Sequence, residues 1–259
     1  MISKPPAFSC QGCASDLGFD FSMAYQPIVD VEDASVFAYE ALVRGGNGEP
    51  AGVVLERVTD ANRFAFDQRC RVRAVETAAA LGMTTKLSIN FMPNAVYEPT
   101  RCLQSTLTAA SRAGFPVEQI IFEATEEDRV RDPERLKSIL RTYRHHGFLT
   151  AIDDFGSGYA GLSLLADFQP DIVKLDMALV RGIDTSRARQ SIVSGIMSIA
   201  RMLGIRVIAE GVETRDELLA LRDVGITLMQ GYLFAKPGLQ ALPAVNGAVL
   251  TSHAQAKTG

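Results

Sequence analysis

The 259 residues carry 26 lysines and arginines against 30 acids, a net charge of −4, with 47% hydrophobic and 22% charged residues. That composition argues against a disordered chain, and the acidic balance gives no sign of a protein that grips a nucleic-acid polymer, which usually carries a basic surplus. The length allows one α/β unit of ~250 residues or two smaller ones. At the N-terminus Lys4 is followed by Pro5 and Pro6, with no apolar stretch of a secretory signal. The longest uncharged run, 237–256, is broken by Gly238, Pro243, Asn246, Gly247 and His253, so membrane insertion is not expected. Cys10, Cys13, Cys70 and Cys102 are too few for a disulfide framework in so long a chain. The expectation is a cytoplasmic, reduced protein. Cys10 and Cys13 form a Cys-x-x-Cys pair without evident partners, and Cys70 and Cys102 fall in helical patterns and read as small buried hydrophobes.

Short apolar runs of strand type fall at 23–29, 36–42, 86–91, 119–124, 149–153, 172–175, 206–209 and 227–230. Only a short link around Glu32, Asp33 and Ala34 joins the first two, too little for a parallel crossover, so this pair is expected as an antiparallel hairpin. From the third run onward, amphipathic stretches intervene. Leu136, Ile139, Leu140 and Tyr143 share a helical face, as do Ile192, Ile196, Ile199 and Leu203. Gly82, Gly114, Gly147, Gly204 and Gly225 mark helix ends, and Asn94, Thr125 and Thr214 are candidate N-caps. Alternation of this kind predicts an α/β fold, a modified TIM-type (β/α)8 barrel with one antiparallel strand near the N-terminus. Residues 1–20 read as a peripheral segment, 21–243 as the barrel domain and 244–259 as a tail.

What ends each strand is the informative pattern. In order come Glu40, Asn90, Glu123, the pair Asp153-Asp154, Lys174, Glu210 and Gln230. A parallel barrel gathers such ends on one rim, where catalytic groups collect. Five carboxylates and an amide with a single lysine would repel each other and raise each other's pKa values. Divalent cations relieve that repulsion. A donor set of hard oxygens selects magnesium or manganese, and none of His145, His146 and His253 falls at a strand end. Adjacent Asp153 and Asp154 allow one carboxylate to bridge two ions, the arrangement suited to in-line displacement at phosphorus.

The segments YQPIVD (25–30), EALVR (40–44), SIN (88–90), FEATE (122–126), DDFGSGY (153–159), PDIVKLD (170–176), AEGVET (209–214) and QGYLFAKP (230–237) stand in the order of a known family. The sequence resembles the EAL-domain phosphodiesterases, which hydrolyse the bacterial signal cyclic di-GMP to the linear dinucleotide pGpG. The resemblance covers about residues 20–240. It implies that Glu40, Asn90, Glu123 and Asp153 hold one Mg2+ or Mn2+, and that Asp153, Asp154 and Glu210 hold a second. It further implies that Lys174 orients the attacking water, that Glu210 acts as ligand or general base, and that Gln230 completes the polar shell. Arg44, Leu42 and Gln26 would contact substrate, Arg44 through a phosphate suited to its planar fork. Glu126 and Glu213 would steady the loop around Gly156, Ser157 and Gly158, and a homodimer is implied with it. Gly45 stands where the family often has an aromatic residue, and Ala160-Gly161 where it often has serines. Ca2+ is expected to occupy the site and inhibit, being larger and less strictly octahedral. The alternative is a module of the same fold that binds cyclic di-GMP or a protein without turnover.

Overall fold

The four residues 31–34 between the first two strands force a hairpin. In the structure, a computed structural model describing residues 16–125, 133–157 and 161–247, β1 (Phe21–Asp30) runs antiparallel to β2 (Ser35–Gly45) along its whole length. Helices α1 (Ala51–Leu55) and α2 (Arg63–Ala80) lead to β3 (Lys86–Asn90), and α3 (Pro99–Ala113) to β4 (Ile120–Thr125). Then come α4 (Pro133–His145), β5 (Leu149–Phe155), α5 (Gly161–Asp167), β6 (Ile172–Leu175), α6 (Met177–Val180) and α7 (Arg187–Leu203). The chain continues through β7 (Arg206–Ala209), α8 (Arg215–Asp223), β8 (Leu228–Gln230) and the short β9 (Gly238–Leu239). Strands β2 to β8 are parallel in sequence order, and β1 closes the barrel antiparallel to both β8 and β2. All eight expected strands are present. The sequence pattern did not reveal β9, two residues that pair with Ala24 and Tyr25 of β1.

The helical face of Leu136, Ile139, Leu140 and Tyr143 is buried as expected. On α7 the buried line is Val193, Met197 and Ala200, one position round from the expected face, so Ile192 and Leu203 are exposed while Ile196 and Ile199 pack at its edge. The five helix-end glycines all have positive φ. Of the candidate caps, Thr214 closes a reciprocal capping box with Glu217, whereas Asn94 lies inside a single turn, Pro93–Ala95, whose N-cap is Met92. Thr125 is the last residue of β4, and 126–132, where a helix would have to begin for it to act as a cap, lie outside the described residues. Cys70 and Cys102 are buried free thiols, and Cys10 and Cys13 lie outside the described residues.

Inside the barrel, Ile28, Ala38, Ile121, Ala151, Ile172, Ile208 and Leu228 form one apolar layer. Side chains alternate across a strand, so the residue two further on faces the same way. On the parallel strands that step leads from Ala38, Ile121, Ala151, Ile172, Ile208 and Leu228 to Glu40, Glu123, Asp153, Lys174, Glu210 and Gln230. On β1, which runs the other way, it leads from Ile28 back to Gln26. A greasy plug thus supports a polar layer above it. Below the plug, an extra residue in β2 falls between the pairs Ile28–Ala38 and Val29–Val36. That bulge turns Phe37 onto the apolar layer, between the cations of Lys86 and Arg206 at 4.7 and 4.9 Å.

Candidate active site

Lys174 is the centre of the polar layer. Its side chain is wholly buried, and Nζ lies 2.7 Å from Glu210 Oε1, 2.9 Å from Glu123 Oε2, 3.1 Å from Asp153 Oδ1 and 3.4 Å from Glu40 Oε2. Burial alone would lower its pKa, but Asp153, Glu123, Glu210 and Glu40 outweigh it and hold the ammonium charged far above neutrality. The acids show the opposite balance. Burial pushes the Glu123 carboxyl up to about 8, against the pull of Lys174 and with the help of Glu40 and Asp153. Burial likewise drives the Glu210 carboxyl well above its ordinary range, with Lys174 opposing and Asp153 and Glu40 adding. One ammonium does not balance four carboxyl groups.

The remaining polar groups tie these acids to one another. Asn90 Nδ2 donates to Glu40 Oε1 at 2.8 Å, and Gln230 Nε2 donates to Glu40 Oε2 at 2.9 Å. Gln230 Nε2 also reaches Gln26 Oε1 at 3.4 Å, while Gln26 Nε2 donates to the Ala235 carbonyl at 3.2 Å. The hydroxyl of Ser88, buried on the same face of β3 as Asn90, donates to Glu123 Oε1. Sequence reasoning assigns Ser88 no role, although it opens the SIN motif; its place two residues before Asn90 is the available signal. Gly231 comes after Gln230 where the β8 exit presses on the loop after Glu210, and a Cβ there would fall into the Val212 backbone.

Adjacent strand residues normally face opposite ways, so a bulge is needed to bring both Asp153 and Asp154 into one site. Between Ile152 and Phe155, β5 has one residue more than the paired span Val173 to Leu175 of β6. Asp154 takes up that surplus with φ at 54°, in the left-handed region that aspartate tolerates better than most residues. The result is two acid groups that share a member. Ligand oxygens of Glu40, Glu123 and Asp153 lie within 4.8 Å of one another, as do those of Asp153, Asp154 and Glu210. The Oε1 of Gln230 is buried without a hydrogen-bond partner among the described residues. An all-oxygen set with surplus negative charge and an unpaired carbonyl oxygen fits hard divalent cations.

Of the expected substrate-contact residues, Leu42 and Arg44 continue the face of Glu40 along β2 and are half-buried. Arg44 Nη1 donates to the Val43 carbonyl at 2.7 Å, which leaves most of its donors for other partners. Glu213 joins a different group: its Oε1 accepts from Arg181 Nη2 at 2.7 Å, tying the loop after β7 to the end of α6. Glu126, Gly158, Tyr159 and Ala160 lie outside the described residues.

The profile of the EAL domain matches residues 16–237. The chain belongs to the EAL domain family. Among solved structures, it resembles the standalone versatile EAL protein of Vibrio cholerae O395 in its c-di-GMP-bound form. That match has 54% identity and a TM-score of 0.88, covering 90% of this chain and 99% of the other. BlrP1 of Klebsiella pneumoniae, solved with cyclic di-GMP and calcium, matches at 35% identity and a TM-score of 0.83, over 89% of this chain and 59% of that one. BlrP1 has also been solved with manganese in place of calcium. Two curated relatives are 31% identical. The cyclic di-GMP phosphodiesterase PA2567 of Pseudomonas aeruginosa is matched over 85% of this chain and 38% of its own length. The blue light- and temperature-regulated antirepressor BluF of Escherichia coli is matched over 90% of this chain and 58% of its own. The chain therefore spans less than two thirds of these curated relatives. Among the described residues no helix is long and apolar enough to cross a membrane.

Proposed function

We propose that this EAL domain hydrolyses cyclic di-GMP to linear pGpG with two divalent cations, Mg2+ or Mn2+. One observation carries the reading: the carboxylates of Glu40, Glu123, Asp153, Asp154 and Glu210 form two groups that share Asp153, with Asn90 against Glu40 and a buried lysine between them. The resemblance implies that members of the family that bind without turnover lack one of those acids or the lysine, all of which this sequence has. Glu40, Asn90, Glu123 and Asp153 would hold one ion, and Asp153, Asp154 and Glu210 the other. When bound, the dications supply Lewis-acid neutralisation of charge on the reacting phosphate and on the attacking water.

The chain's own residues do the rest. Lys174 is held in place by its carboxylate neighbours, and once those carboxylate oxygens turn to bound cations, an N–H of its ammonium would be released to donate to the oxygen of the attacking water. That contact favours loss of a water proton, and Glu210, 2.7 Å from Nζ, is the nearest carboxylate able to accept it. A P–O bond forms to the water oxygen, the bond to the ribose 3′ oxygen breaks, and that oxygen takes up a proton. Arg44 binds a non-bridging phosphate oxygen, with Leu42 and Gln26 beside the substrate. Gln230 holds Glu40 in place through its amide. A homodimer accompanies this reading, and sedimentation tests it.

The second reading, a module that binds without turnover, is supported by the likeness to BluF, which is named an antirepressor. Incubation with cyclic di-GMP and either Mg2+ or Mn2+, then chromatography, separates the two. Linear product is expected; retention of intact ligand without product under both ions would favour the binding module.

A further inference from the structure

On the outer face of β3 and β4 a guanidinium is shut away from water. Arg71 of α2 is 0% exposed, and its Nη2 lies 2.6 Å from Oδ2 of Asp67, one helical turn earlier and as deeply buried. Its Nη1 donates to the Tyr143 hydroxyl of α4 at 2.7 Å. The rings of Phe122, Phe91 and Tyr143 stand 5.1, 5.4 and 5.6 Å from its centre. A buried ion pair is a poor device for stability, because well-packed apolar residues of similar volume do as well or better.

What the pair touches lies directly behind the site. Asp67 Oδ1 accepts the Met92 N–H at 2.9 Å, two residues beyond Asn90. Phe91, between them, donates its N–H to the Glu123 carbonyl at 3.0 Å, and Phe122 immediately precedes Glu123. Since side chains alternate, pinning Phe91 and Phe122 outside pins Asn90 and Glu123 inside.

We propose that Asp67, clamped by Arg71, is a positioning residue: through the Met92 N–H it holds the exit of β3 and so sets Asn90 and Glu123 for a hard divalent cation. This rests on the reading of Glu40, Asn90, Glu123 and Asp153 as an ion site. The chemistry at phosphorus is untouched by the pair, which acts only on where the ligands stand.

Two paired variants of the full chain test it. Asp67→Leu with Arg71→Met removes both charges and the acceptor while keeping apolar volume. Asp67→Asn with Arg71→Met removes the charges but restores an amide oxygen for Met92. Circular dichroism and melting curves check the fold, and calorimetry measures Mn2+ binding. The leucine pair should melt near the parent yet bind one of two ions about 10-fold more weakly, the low end of the effect of losing a direct outer partner of a ligand, since Asp67 acts through the Met92 backbone. The asparagine pair should recover most of that loss. Unchanged Mn2+ affinity in the folded leucine pair, or no recovery in the asparagine pair, would overturn the proposal. If the leucine pair does not fold, Asp67→Ala with Arg71→Met relieves the crowding and carries the same two outcomes. Failure of the parent itself to bind Mn2+ would overturn the ion-site reading instead, and the positioning role with it.

Discussion

Replacing Lys174 by methionine removes the one positive charge in a buried group of four acids, and the geometry sets its cost. The side chain is wholly buried and its Nζ touches Glu40, Glu123, Asp153 and Glu210 within 3.4 Å. Removing one partner from a buried charged group costs about 3–5 kcal/mol, since the other partners stay buried without compensation. Burial already holds Glu123 and Glu210 above their ordinary range, so both can take up protons and soften the loss. The lower figure, about 3 kcal/mol, is therefore expected, the methionine filling the lysine's stem volume. At ~2–4 °C per kcal/mol for a domain of this size, Lys174→Met should melt roughly 6–12 °C below the parent in EDTA. Saturating Mn2+ should narrow the gap, because two dications then supply the missing positive charge. Turnover should stay lost. Equal melting of parent and variant in EDTA would refute the claim that the ammonium compensates these carboxylates.

Asp154→Asn keeps a side chain that tolerates φ at 54°, so stability should change by less than ~0.5 kcal/mol while calorimetry finds one tight Mn2+ instead of two. Two tight ions in the variant would remove Asp154 from the ligand set. Glu217 accepts N–H groups from Gly182, Glu213 and Thr214 at 3.0, 3.0 and 3.1 Å. Burial opposes them, but these bonds and Arg181 prevail and hold its carboxyl below the usual 4.5. A depressed folded pKa gives stability that is present above 4.5 and fades as pH falls through the folded value. Denaturant unfolding of Glu217→Gln between pH 7 and pH 3 should therefore lose less stability on acidification than the parent; equal slopes would contradict the assignment. Ca2+ should bind competitively with Mg2+ and support little hydrolysis, since it prefers 6–8 ligands at ~2.3–2.6 Å. Product formation with Ca2+ alone at the Mg2+ rate would count against the two-ion geometry.

The polar layer was legible because each member comes after an apolar strand residue and because the barrel gathers strand ends on one rim. The hairpin was legible from a link too short for a crossover. Other features depend on contacts that no local pattern records. Strand β9 is two residues long and exists only because β1 offers an edge. Asp154 sits next to Asp153, and period-two alternation would have turned it outward; only the extra residue of β5 brings it back. Asp67 and Arg71 have the i, i+4 spacing of any exposed helical ion pair. Their burial became visible only once Phe91, Phe122 and Tyr143 were placed around them. On α7 a run of apolar residues on neighbouring faces left the buried line ambiguous by one position.

In the proposed reaction, water held at Lys174 and Glu210 attacks phosphorus in cyclic di-GMP. Turnover in heavy-oxygen water with Mn2+, with mass spectrometry of the product, tests it directly. Linear pGpG with one heavy oxygen on its 5′ phosphate is expected, and no product when EDTA replaces the ion. Heavy oxygen on a ribose hydroxyl, or bound cyclic di-GMP that is never opened under Mg2+ or Mn2+, would contradict it.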